Sequence, residues 1–432
     1  MWESNLLIEP LSTPGVMAAK LLLPFGSVQD PPDQRGAHEL LASLLSRGCG
    51  PLDHEAVADL VEGSGAGLRC DAQEDGLLLS LRCTVECSDL LLPLLAWMVL
   101  EPHLHPEQVA LERNLTLQSL QRQCEDPFHM ASIGWRALVY GTGAYGHDPM
   151  GVVEDLIHLD RDRLLPLANR LPLGQPVLAI AGTFPAEITE QLAETKGFAQ
   201  WPQPTIRSGV NQPEYCISSG SESIHLQPME TEQVVMMLGQ ATISHGHPDD
   251  LALRLLQCHL GVGMSSLLFR RLREEHGVAY EVAASYPALA GPSPFMILAS
   301  TGMERADQSL MLLLQCWHEL RQKRLSLAEL DLACSKFIGQ VAHSRQTCSQ
   351  RAERRVQLRA MGLADDHDQR SMNAVRNLTP ASLCQAAERW LNQPKLSLCG
   401  PSQSLRELQR LWNGQSASSP PTPSTGSGTG SS

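Results

Sequence analysis

Between Leu260 and Tyr280 the chain reads Leu-Gly-Val-Gly-Met-Ser-Ser-Leu-Leu-Phe-Arg-Arg-Leu-Arg-Glu-Glu-His-Gly-Val-Ala-Tyr. Arg273 and Tyr280 are its two side chains of chemical interest. Both are good hydrogen-bond donors that need no deprotonation, so they suit binding an oxygen acceptor rather than abstracting a proton. A second stretch, Gly36-Ala-His-Glu-Leu-Leu-Ala42, places a single imidazole, His38, at the start of an apolar run. One imidazole cannot hold a catalytic zinc ion, which needs three protein ligands and an open position. Glu39 follows at once but points elsewhere around a helix, since neighbours in sequence do not share a face. The pairs His103/His105 and His245/His247 flank proline-rich turns without carboxylate or thiol partners at useful spacing. The run Gly141-Thr-Gly143-Ala-Tyr-Gly146 has no following lysine and is not a phosphate loop.

The elements that must position these residues are legible from periodicity. Pro14 to Gly26 contains a short apolar strand, and a loop rich in Asp and Pro (Gln29 to Asp33) leads into a helix. There Ala37, Leu40, Leu41, Leu44 and Leu45 form one apolar face, with Arg47 and Gly48 as stop signals. Strands are expected at 67–70, 77–85 and 176–182, and a long helix at 106–122. Around residues 198–222 the composition shifts to Pro, Gln, Ser and Gly, a linker signal. Beyond it the order recurs: an opening strand at 233–239, an acidic turn His247-Pro-Asp-Asp250, and a helix from Leu251 to Leu260 that ends at Gly261 as the first ended at Gly48. Gly277 can end the next helix, which puts Tyr280 at the start of a strand. From Gln415 the sequence has no charge and no large apolar residue, so this tail cannot bury a core.

At 432 residues the chain suits two domains of about 200 residues each. Hydrophobic residues at 43% and charged residues at 19% describe a globular protein, with few aromatics (4%), so Leu and Ala must fill the core. A formal net charge of −14 argues against a nucleic-acid partner, because phosphate neutralisation needs clustered Lys and Arg. The 12 cysteines contain no C-x-x-C and sit mostly in apolar runs, the place of buried thiols in a reducing compartment. No basic leader opens the chain, and no apolar run approaches the ~20 residues needed to span a bilayer. A cytoplasmic protein with no membrane partner is expected.

Taken together, the quoted stretches resemble the pitrilysin (insulinase) family of zinc metallopeptidases, of the mitochondrial-processing-peptidase-like kind. Gly26-Ser-Val-Gln-Asp30 followed by Gly36-Ala-His38 is similar to the family's opening signature. Leu260 to Tyr280 matches its Leu-Gly-x-Gly-x-Ser-Ser-x-Leu-Phe, Arg and Gly-x-Ala-Tyr pattern, and Tyr145 to Gly151 its first-half loop. The resemblance covers essentially residues 14–410. It implies an α+β architecture of two similar domains, each a mainly antiparallel sheet with helices on one face. Their expected limits are 1–205, with a degenerate zinc site, and 206–412, with the Arg/Tyr element, before a disordered tail at 413–432. Aligned on His38, the family's general base falls at Leu41, its second ligand at Ala42 and its distal ligand at Ser119, seven residues after a matching Glu112. No metal is therefore expected in this chain.

What the resemblance implies for function is a non-catalytic, zinc-free subunit of a bacterial heterodimeric metallopeptidase. A homologous partner would bring the zinc, and the substrate would be an extended peptide. Arg273 and Tyr280 would bind the substrate carbonyl and its oxyanion in trans, with Gly261, Gly263, Ser265 and Ser266 as binding residues. The Gly261–Ser266 loop is shorter than the Gly-rich loop of the mitochondrial enzyme's zinc-free subunit, so presequence recognition does not carry over. The alternative is an inert scaffold, or a core-type subunit of a larger complex.

Overall fold

The computed structural model describes residues 5–194, 197–202, 213 and 215–416. Two five-stranded sheets organise it. The first runs in the order Leu6–Pro10, Val177–Gly182, Val16–Leu23, Leu77–Thr84, Gly67–Ala72. The second runs Ile224–Pro228, Lys395–Gly400, Gln233–Ala241, Pro294–Gly302, Glu281–Ser285. Matching these strands by chain order gives the same topology twice. In each sheet the first and last strands are parallel and every other pair is antiparallel. The architecture is the expected α+β duplication of mostly antiparallel sheets with helices.

One feature of the layering differs from the one-face expectation. Helix Pro127–Tyr140 belongs by sequence to the first half, yet it packs on strands Lys395–Gly400, Gln233–Ala241 and Ile224–Pro228 of the second sheet. Helix Cys348–Ala360 makes the reciprocal crossing onto Val16–Leu23 and Val177–Gly182. Both faces of each sheet are therefore covered. That explains why Val16–Leu23 reads as a nearly unbroken apolar run, as strands buried on both faces do. The first crossing helix seats Trp135 and Val139 against Val235 and Met237, and Trp135 Nε1 donates to the Lys395 carbonyl at 3.2 Å. The second seats Ala352 and Val356 against Leu22, Leu78 and Ala179. It also carries Glu353, which accepts from the buried Lys20 ammonium at 2.9 Å, while Arg351 pairs with Glu9.

Local signals account for the element ends. Ser326 and Glu329 form a reciprocal capping box on Leu327–His343, and Thr347 and Gln350 form another on the second crossing helix. The linker signal is only partly a linker. Phe198 and Trp201 are buried in the first half's core with rings stacked at 6.2 Å, whereas 203–212, and with them the expected boundary at 205/206, lie outside the described residues. The C-terminal helix Ser402–Ser416 runs into the segment expected as tail. Its amphipathic spacing, with Leu405, Leu408 and Trp412 buried, carries the helix past Asn413; 417–432 lie outside the described residues. All 12 cysteines are free. No helix among the described residues is long and apolar enough to cross a membrane.

Candidate functional site

The helix that stands in the metal position, Ala37–Leu44, is held at its start by Asp30. The Asp30 carboxylate accepts from the Gly36 amide at 2.6 Å, the His38 amide at 3.0 Å and His38 Nδ1 at 2.7 Å. His147 Nε2 lies 3.3 Å from its second oxygen. Burial alone pushes this carboxyl up, but the His147 and His38 contacts and the Gly36 amide outweigh it and hold it below the ordinary range. An ionised Asp30 is an acceptor only, so the His38 proton sits on Nδ1. Gly36 is left-handed (φ 99°), and a Cβ on it would stand 2.6 Å from Gly151 Cα. The Tyr145–Gly151 loop is thus the packing partner of the helix start, and Tyr145 Oη reaches Asp75 at 2.8 Å.

Among the described residues nothing completes a metal site around His38. Leu41 and Ala42 are 0% and 3% exposed and belong to the hydrophobic core of the first half. Ser119 is half-buried on helix Pro106–Gln123. Glu112, on the same helix, pairs with Arg47 at 2.5 Å instead of facing a ligand set. Glu39 is half-buried and its carboxyl is pushed up to about 7, first by burial and then by the charges of Asp71, Asp148 and Asp30. Among the described residues no three His, Cys, Asp or Glu side chains are grouped so that they could hold a metal ion. The other histidine pairs have structural partners. His103 Nε2 lies 2.8 Å from the Gly50 carbonyl, and His245 is buried in a network with Asp250, Arg254 and Arg354.

The Arg/Tyr element is built differently. Helix Asp250–Gly261 ends where Gly261 packs against Ala284, too close for any Cβ. Gly263 turns the chain in the left-handed region (φ 74°), Ser265 is exposed, and Ser266 is buried with its amide donating to the Gly263 carbonyl at 3.0 Å. The chain then winds into a π-helical turn, Phe269–Glu275. Such turns cost regular hydrogen bonding and gather at functional sites. Arg273 is exposed on it, with its guanidinium carbon 4.9 Å from the Phe269 ring centre. No carboxylate pairs with Arg273 among the described residues.

Tyr280 stands at the mouth of strand Glu281–Ser285, the edge of the second sheet, and is 64% exposed. Its amide donates to the Ser300 carbonyl at 2.8 Å. Its hydroxyl lies over Gly302, where a Cβ would come within 3.0 Å of it. Arg305 donates to the Gly277 carbonyl and so pins the turn that joins Arg273 to Tyr280. Sequence spacing did not point to Arg305, which acts through the fold; Phe269 lies in the quoted motif, but its place beneath the Arg273 guanidinium shows only in the structure. None of these groups is in hydrogen-bond or ion-pair contact with His38 among the described residues. A cleft of about 1240 Å³ also lies elsewhere, between the halves beside Gln29, Asp75, Tyr215 and Gln357.

Residues 174–337, which include this whole element, match the family described as the peptidase M16 inactive domain. The chain is similar to an uncharacterized zinc protease, YmxG, of Bacillus subtilis, 20% identical over 330 residues covering 76% of this chain and 79% of the relative. It is also similar to a non-peptidase homolog, YmxG, of Helicobacter pylori, 21% identical over 359 residues (82% and 81%). In fold it resembles the crystal structure of a peptidase M16 inactive domain from Pseudomonas fluorescens, with TM-score 0.82, 22% identity, and 92% and 95% of the two chains covered. A protease from Helicobacter pylori superposes with TM-score 0.84 at 16% identity, over 92% and 96%. The absence of the expected ligands and the presence of the Arg/Tyr element agree with these matches: residues 174–337 match the peptidase M16 inactive domain, and the chain as a whole is similar in sequence and fold to proteins described in those terms.

Proposed function

We propose that this chain is the zinc-free subunit of a heterodimeric cytoplasmic metallopeptidase and supplies Arg273 and Tyr280 to the active site of a homologous, zinc-bearing partner. The observation that carries this reading is a mismatch within one molecule. Two strong donors stand exposed and without a carboxylate partner, Tyr280 at 64%, while the helix that would bear the metal has Leu41 and Ala42 buried in its core.

In the partner, zinc would polarise the scissile carbonyl and activate the attacking water. The residues of this chain would act on the other side of that carbonyl. As its carbon becomes tetrahedral the oxygen gains negative charge, and the Tyr280 hydroxyl and Arg273 guanidinium would donate to it more strongly than to the neutral carbonyl. Binding that tightens in the transition state raises turnover rather than only affinity. The bound segment would be an extended peptide.

Co-expression with a zinc-bearing homologue tests this directly. Zinc and peptide cleavage are expected in the mixture and in neither property from this chain alone. Tyr280→Phe in the complex should lower kcat by about a hundredfold, the usual cost of one oxyanion donor, with assembly intact. Unchanged turnover, or zinc bound by the isolated chain, would overturn the assignment.

A further inference from the structure

Two adjoining cavities, of about 170 and 200 Å³, lie between the end of helix Asp250–Gly261, the first turn of Phe269–Glu275 and helix Leu327–His343, and they share His259, Arg270 and Glu329 as walls. Their charge is unlike that of the chain as a whole. Arg270, Lys323, Arg324 and Lys336 line them, and none has a carboxylate partner among the described residues. Of the neighbouring charges, Arg271 pairs with Glu319 at 2.7 Å, Glu329 accepts from Ser326 N and Oγ at 2.8 Å each in the capping box, and Glu275 lines the first cavity only.

The inner wall is more telling. Arg270 Nε is buried with no hydrogen-bond partner, a costly state for a charged donor. Lys336 lines the same cavity as Arg270, and Ser265 of the glycine loop lines it too. Burial holds His259 below its ordinary range; Arg270 and Lys336 add to this, and the Glu329 charge opposes it. The wall therefore combines two cations without an ion-pair partner among the described residues, a hydroxyl, an imidazole and the capped Glu329 carboxylate around a space large enough for a small ion. Guanidinium forks and ammonium groups of this kind are matched by carboxylate and phosphate oxygens.

We propose that the cavity walled by Arg270, Lys336, His259 and Ser265 is a binding site for a small oxyanion, a phosphate or a carboxylate group. The site stands on its own residues and does not depend on the trans role of Arg273. The two are joined through the π-helical turn: an anion that fixes Arg270 fixes the turn on which Arg273 is presented.

Isothermal titration of the full chain in phosphate-free buffer, with inorganic phosphate in one arm and N-acetyl-dialanine in the other, tests this. Saturable binding is expected in at least one arm. It should weaken about tenfold or more in Arg270→Gln and in Lys336→Met, and stay unchanged in Arg122→Gln on the first half. Lys336→Met keeps the packed stem, so a folding defect in the Arg270 variant leaves the test intact. Binding of phosphate alone identifies a free phosphate or phosphorylated ligand. Binding of the dipeptide alone identifies a peptide C-terminus, and both together identify the shared chemistry. No saturable binding in either arm, or equal affinity in the wild type and both site variants, would overturn the proposal.

Discussion

The crossing helices make a quantitative claim about Lys20. This residue sits mid-strand, 6% exposed, and its ammonium is held by Glu353 at 2.9 Å and the Ser80 hydroxyl at 2.8 Å. Removing one partner of a buried ion pair costs about 3–5 kcal/mol, because the other charge is left uncompensated. Glu353 is 34% exposed and Ser80 remains, so about 2–3 kcal/mol is the fitting figure for Glu353→Ala. Lys20→Met removes the buried charge itself and leaves Glu353 free to turn towards water. That change should cost less than about 1.5 kcal/mol, and Lys20→Met with Glu353→Leu should be near neutral. At about 2–4 °C per kcal/mol for units of 150–250 residues, Glu353→Ala should lower Tm by roughly 4–12 °C. Thermal unfolding of the full chain, followed by circular dichroism and tryptophan fluorescence, reads the three values. Equal losses for the two single variants, or a shift below about 2 °C in Glu353→Ala, would show that this pair does not hold the crossing helix on the first sheet.

Two other perturbations probe the same architecture. Glu39 titrates near 7 in the folded chain against an ordinary 4.5, so the folded state binds its proton more tightly than the unfolded one. The stability this lends is fully present below about pH 4.5 and is lost as pH rises through 7. Glu39→Gln should therefore be neutral near pH 4 and stabilising by about 1–3 kcal/mol at pH 8, a figure reduced for partial exposure. Urea unfolding at both values checks it, and a pH-independent difference would contradict the burial of that carboxyl. Trp135→Ala should cost about 3–5 kcal/mol. Although the residue belongs to the first half by sequence, hydrogen exchange should quicken in Gln233–Ala241 and Lys395–Gly400 of the second.

Elements whose signals are local were legible in the sequence. The apolar stripe of Ala37–Leu45, the apolar run within Pro14–Gly26 and the segments at 233–239 and 251–260 gave the first helix of each half and the strand before it to within a few residues, but the opening edge strands Leu6–Pro10 and Ile224–Pro228 were not read. A strand, acidic turn and helix occurring twice pointed to a duplication, though not to the strand order. The exchange of Pro127–Tyr140 and Cys348–Ala360 was not legible, since an amphipathic helix shows that it has a buried face and not which sheet covers it. Lys20 held the best hint. A lysine inside an apolar run must find a carboxylate, but sequence alone does not show that its partner is Glu353 on the far half. The cavity at Arg270 and Lys336 was hidden for a similar reason: the two cations are brought together only by packing of their helices, although Ser265 beside them lies in a recognised motif.

The geometry at Asp30 shows what holds His38 in place without a metal. A histidine that binds a metal through one ring nitrogen commonly gives its other N–H to a carboxylate, and His38 Nδ1 with Asp30 has that form. Yet Asp30 also accepts two backbone amides at the start of the helix, so the same carboxylate closes the left-handed turn at Gly36 and satisfies orphan donors of the first turn. That second task needs no metal. It explains how Asp30 and His38 remain a buried, hydrogen-bonded pair while the ligand positions downstream are apolar. Because Leu41 and Ala42 are packed in the core of the first half, an imidazole at Ala42 would be forced into space held by close-packed side chains, which costs stability before any metal can offset it. The Arg/Tyr element carries no such second task. Tyr280 is largely exposed and Arg273 touches only Phe269 among its ring neighbours, so packing within this chain does not explain their placement. The helix start is accounted for by folding alone, whereas the placement of the donor pair is what the proposed role in trans would account for.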